Sequence, residues 1–129
     1  MNGSVDAGRQ TPGVRGLLRR RLVDALRYSL QGLRACAHSE EAFRTELALA
    51  VVLVPLGLWL GQGAVEKTLL VAVVFIVLIV ELLNTAVEMT VDRIGLERDN
   101  LARQAKDIGS AAVFLSMLLF LTVWGILLS

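Results

Sequence analysis

From Ile108 to Leu128 the chain runs 21 residues without a charge. A helix of that length crosses the hydrocarbon core of a bilayer, which takes about 20 apolar residues. A second run starts at Thr68, carries no charge through Val80, and continues past Glu81 to the neighbourhood of Met89. A third, Leu47 to Gly61, has 15 residues and contains Pro55. It reaches full span length only if its helix begins on the polar side, near Glu40. Gly61-Gln62-Gly63 marks the turn between the first two spans.

Composition agrees with membrane residence. In 129 residues, enough for one domain, 55% are hydrophobic, 19% are charged and the mean hydropathy is +0.64. A small soluble globule needs more polar surface than this because its surface-to-volume ratio is high, and a disordered chain is still more polar. Two prolines and one cysteine exclude collagen-like repeats, disulfide scaffolds and cysteine-based zinc sites. No apolar core follows closely on Met1, so no signal peptide is expected.

Lys and Arg set the expected orientation. Residues 1–46 hold eight of them, and the connection between the second and third spans holds Arg93, Arg98, Arg103 and Lys106. Only Lys67 follows the first span, and none follows the third. The amino terminus and the second connection are therefore expected on the cytoplasmic side. Residues 1–13 read as a loose tail. Leu18, Leu22, Leu26, Ser29 or Leu30, and Leu33 then recur at helical spacing, opposite Arg20, Asp24, Arg27, Gln31 and Arg34. With Arg19-Arg20-Arg21 suited to an anionic lipid surface, this is the pattern of an amphipathic surface helix. The expected architecture is an all-α membrane protein with a surface helix over residues 16–36 and spans over 41–61, 66–90 and 106–128.

Charges inside a span are costly and face a protein interior or a water-filled cavity. Glu81 stands 13 residues after Thr68, about 20 Å along a helix at 1.5 Å per residue, and so falls past the midplane. Asn84, Thr85 and Glu88 follow at i+3, i+4 and i+7 and share its face. Glu40, Arg44 and Glu46 stand at the same end of the first span, and Lys106, Asp107 and Ser110 at that end of the third. Each has a plainer reading: Glu40 and Arg44 as an i,i+4 ion pair, Lys106 and Asp107 reaching to lipid headgroups, Asn84 as a contact between helices. A short side chain at the depth of Glu81 has no such outlet.

Carboxylates beside an ammonium and an amide suit Mg²⁺ shared with substrate phosphates, as phosphoryl transfer requires. The chain has neither a Walker motif nor a kinase glycine loop, and from these residues alone a proton- or ion-coupled transporter remains open. Cys36 and His38 are the only cysteine and histidine and read as incidental. The reading gives no nucleic-acid partner.

Three motifs go further: Val80-Glu81-Leu82-Leu83-Asn84-Thr85-Ala86-Val87-Glu88, Val91-Asp92-Arg93-Ile94-Gly95 and Ala105-Lys106-Asp107-Ile108-Gly109-Ser110-Ala111-Ala112-Val113. Together with Glu40 and Glu41-Ala42-Phe43-Arg44-Thr45-Glu46, and with Tyr28-Ser29 and Gly32-Leu33-Arg34, they closely resemble the bacterial integral-membrane diacylglycerol kinase family, from residue 18 to the end. The resemblance implies a homotrimer in the bacterial inner membrane, with composite sites between subunits, that transfers the ATP γ-phosphate to diacylglycerol. It implies Glu81 as general base with Asn84 orienting the catalytic set, and Glu40 and Glu88 as holders of Mg²⁺. It also implies nucleotide contacts from Arg21, Tyr28, Glu97, Lys106 and Asp107, and a lipid pocket defined by Arg44, Glu46 and Ser110. A sister kinase acting on undecaprenol shares the same core and is the alternative. Ala105/Gly109 and Ala112/Ser116 offer small surfaces for close helix contact. The chain departs from the family at Leu30, Gln31 and Ser39, and at Glu97-Arg98-Asp99, where Glu-Tyr-His is common. The last departure bears on the adenine contact.

Overall fold

Gly61 and Gly63 do at the first turn what their sequence spacing predicts. Gly61 closes one helix by donating its N–H to Gly57 O, and Gly63 opens the next with φ +85°, a backbone conformation that disfavours any side chain. The computed structural model describes residues 13–95 and 100–129. Among these it contains four helices and no strand: α1 Val14–Ser39, α2 Glu41–Leu60, α3 Gly63–Ile94 and α4 Asn100–Leu128. The last three are long and apolar enough to cross a membrane. The expected tail, apart from Gly13, and the Glu97-Arg98-Asp99 segment lie outside the described residues.

The helices overrun the expected spans at their polar ends. The α3 helix continues to Ile94, where Gly95, at φ +84°, takes the left-handed cap position and donates to Asp92 O. The α4 helix begins six residues before Lys106. Apolar run length measures the bilayer, not the helix, and backbone hydrogen bonding carries both helices on into polar sequence.

The chain divides into two compact units, residues 1–34 and 35–129. In the first, the described residues are helical apart from Gly13, and Leu18, Leu22, Leu26 and Leu30 are all exposed. In the second, α3 packs against both α2 and α4. Its core gathers Ala50 from α2, Leu70, Val73 and Val74 from α3, and Trp124 from α4. The Trp124 indole N–H donates to Leu70 O at 3.0 Å, a polar tie between α3 and α4 inside the apolar layer. Phe120 stacks on the same ring at 5.3 Å between centroids. Gly57 lets the helices close in: a Cβ there would stand 3.2 Å from Leu70 Cβ and 3.5 Å from Trp124 Cζ2. Pro55 sits inside α2, where its missing N–H removes one helical donor, yet the helix runs on to Leu60.

Candidate active site

Below this core the buried surface turns polar. Glu81 and Thr85 are buried and Asn84 and Glu88 half-buried, so the α3 stripe read from the i, i+3, i+4, i+7 spacing does face inward. The carboxyl groups of Glu81 and Glu46 come within hydrogen-bonding range of each other across α3 and α2. Carboxylates only accept, and Glu46 Oε2 is buried with no donor facing it.

One turn further, Asn84 Nδ2 donates to Glu88 Oε1 at 3.3 Å. The Asn84 contact is thus made partly within α3, with its buried Oδ1 turned toward Gly109 of α4. Lys106 lies within the electrostatic reach of Glu88 and forms an ion pair with Asp92. Asp92 was absent from the expected site. Its signal was available, because it stands four residues after Glu88 and extends the same helical stripe.

Other expected members stand apart. Arg44 does not pair with Glu40: its Nη1 donates to Ala37 O and His38 O, at 3.1 and 3.0 Å, and so satisfies carbonyls in the last turn of α1. Glu40 occupies the cap position of α2 without a side-chain capping bond. Asp107 and Ser110 are exposed on α4. Arg21 and Tyr28 belong to the first unit and are exposed there, and Glu97 lies outside the described residues. Cys36 is not incidental to the structure. It is buried and its thiol donates to Thr85 Oγ1 at 3.6 Å, which ties the end of α1 to the polar stripe of α3.

Glu46 also borders a cavity of about 230 Å³ between α2, α3 and α4, whose other walls are Leu49, Leu53, Val74, Val77, Leu78, Met117, Phe120 and Leu121. A second, shallower groove shares Glu46, Leu49 and Met117 with it and reaches Glu41 and Thr45. One side chain thus stands where a polar mouth meets a hydrocarbon-lined slot. Among the described residues no three His, Cys, Asp or Glu side chains converge as a metal cage. Two carboxylates completed by substrate phosphates remain a suitable donor set for Mg²⁺, which commonly binds proteins in that way.

Three helices long and apolar enough to cross a membrane, with paired carboxyl groups and a carboxylate–amide–ammonium set at one end, define an integral-membrane class of protein with a polar cluster between its helices. Comparison with known proteins specifies the class. Residues 27–128 match the prokaryotic diacylglycerol kinase family. A diacylglycerol kinase of Haemophilus influenzae is 47% identical over 104 residues, 81% of this chain and 88% of that protein. Those of Pseudomonas aeruginosa and Escherichia coli K12 are each 44% identical, over 109 and 108 residues, covering 84% of this chain and 89% and 88% of theirs. The chain belongs to the prokaryotic diacylglycerol kinase family.

Proposed function

We propose that this protein transfers the γ-phosphate of ATP to the free hydroxyl of diacylglycerol, giving phosphatidic acid at the cytoplasmic face of the bacterial inner membrane. The observation that carries the reading is the meeting of half-buried Glu46 with buried Glu81 at the head of an apolar slot. The slot accepts hydrocarbon, and a lipid alcohol supplies both a hydroxyl for the base and acyl chains for the slot.

In the reaction the acceptor hydroxyl gives its proton to a Glu81 carboxylate oxygen as its own oxygen bonds to the γ-phosphorus. The bond from that phosphorus to the bridging oxygen breaks, and ADP leaves. Glu46 stands beside that base and borders the slot that would take the acyl chains. Glu40 and Glu88 would hold Mg²⁺, which neutralises phosphate charge when bound. Asn84 fixes the Glu88 carboxylate, and Lys106 meets the charge that develops on the γ-phosphate. Asp92 keeps the Lys106 ammonium at this end of α4. Roles for Arg21, Tyr28, Glu97 and Asp107 at the nucleotide, and for Arg44 and Ser110 at the lipid, rest on the family resemblance alone, as does the homotrimer with shared sites.

The test offers diacylglycerol and undecaprenol in competition to the purified protein in mixed micelles with Mg-ATP. Phosphatidic acid as main product is expected. Preferential phosphorylation of undecaprenol would retain the chemistry and overturn the assigned acceptor.

A further inference from the structure

Gly109 is half-buried in the middle of the Lys106–Val113 segment of α4, a helix position where glycine is otherwise unfavourable. Each atom that a Cβ there would approach belongs to one side chain: Asn84 Oδ1, which it would strike, then Asn84 Cγ at 3.3 Å and Asn84 Cβ at 4.0 Å. That Oδ1 is buried and without a partner. The other end of the same amide donates to Glu88.

These facts are linked by the chemistry of an amide. Asn84 can donate to Glu88 only with Nδ2 toward it, because the flipped amide would set Oδ1 against a carboxylate, acceptor to acceptor. With Nδ2 so placed, Oδ1 points at α4, and only a residue without a side chain leaves room for it. The amide forgoes a hydrogen bond at one end in order to hold Glu88 at the other.

We propose that Gly109 is a positioning residue for phosphoryl transfer: by leaving space for Asn84 Oδ1 it keeps the Asn84 amide turned to Glu88. The inference rests on the phosphotransfer reading above. The obstruction created by a methyl group falls on the end of a rotatable side chain and not on backbone, so Gly109→Ala is relieved by turning the amide. The fold survives and Glu88 loses its orienting donor.

The experiment is a double-mutant cycle of Gly109→Ala and Asn84→Ala in the full-length protein, with Gly57→Ala as a packing control. Gly109→Ala is expected to lower kcat on the order of 10²-fold, the scale for misplacing a catalytic group by about 1 Å. It should raise the Mg²⁺ concentration for half activity and leave KM for diacylglycerol little changed. In the Asn84→Ala background the same change should cost nothing further in rate. Nor should it lower the unfolding midpoint there, measured without Mg²⁺ or nucleotide, because the two Cβ atoms then lie at ordinary contact distance. Gly57→Ala should lower the midpoint and leave the Mg²⁺ dependence unchanged.

Additive losses in rate and midpoint, or an unchanged Mg²⁺ dependence in Gly109→Ala, would overturn the proposal. If Gly109→Ala does not fold, recovery of folding in the double variant supports it and failure of both overturns it. Wild-type protein that transfers no phosphate would instead remove the functional reading on which the inference stands, a result separable from all of these.

Discussion

Glu81→Gln separates proton transfer from every other function of this site. The amide keeps the size and shape of the carboxyl, so a side chain only 9% exposed is replaced without a cavity. Its new N–H₂ group faces Glu46, whose Oε2 is buried and lacks a donor. A hydrogen bond to a charged group contributes about 1.5–3 kcal/mol, so the unfolding midpoint should hold or rise. Turnover should collapse, because general-base catalysis supplies about 10²–10⁴-fold, equivalent to about 3–5 kcal/mol of activation free energy. Initial rates of phosphatidic acid formation in mixed micelles, with thermal unfolding and Mg-ATP binding on the same preparation, read both effects. A stable variant that binds Mg-ATP and turns over within about threefold of wild type, under 1 kcal/mol, would remove Glu81 from the role of base. A sharp fall in stability would instead refute the account of its contact with Glu46.

Three further outcomes follow from other parts of the structure. Glu88→Gln should raise the Mg²⁺ concentration needed for half activity while leaving KM for lipid nearly unaltered; an unchanged Mg²⁺ titration counts against Glu88 as a metal holder. Leu53→Trp fills the slot below Glu46 and should raise KM for long-chain diacylglycerol about tenfold, equivalent to about 1.4 kcal/mol, with less effect on short-chain acceptors. Equal effects on both chain lengths would remove the slot from acyl recognition. Trp124→Phe keeps an aromatic ring beside Phe120 but deletes the bond to Leu70 O; unfolding should show a loss of about 0.6–1.7 kcal/mol, with kcat retained, whereas loss of catalysis at full stability would contradict its structural role.

Spans and the polar stripe were legible because they depend on one helix at a time. Apolar run length located α2, α3 and α4, and the spacing of Glu81, Asn84, Thr85 and Glu88 placed all four on the inward face of α3. Helix ends were less legible, since hydrogen bonding continued α3 to Ile94 and began α4 at Asn100, beyond the apolar limits. Contacts that depend on how two elements lie against each other were not legible. Glu40 and Arg44 have ion-pair spacing, yet the guanidinium finds carbonyls at the end of α1. The partner of Lys106 is fixed by the alignment of α4 with α3, which brings it to Asp92. Gly109 illustrates both halves. Its small size marked a close helix contact, but the atom it admits, Asn84 Oδ1, emerged only with both helices in place.

Phosphate transfer from γ-labelled ATP to diacylglycerol by the purified wild-type protein, with and without Mg²⁺, decides whether the polar end of this helix bundle is a lipid kinase site. Label in phosphatidic acid, dependent on Mg²⁺, is the predicted result. Protein that is folded and binds ATP but leaves diacylglycerol unlabelled would contradict the account.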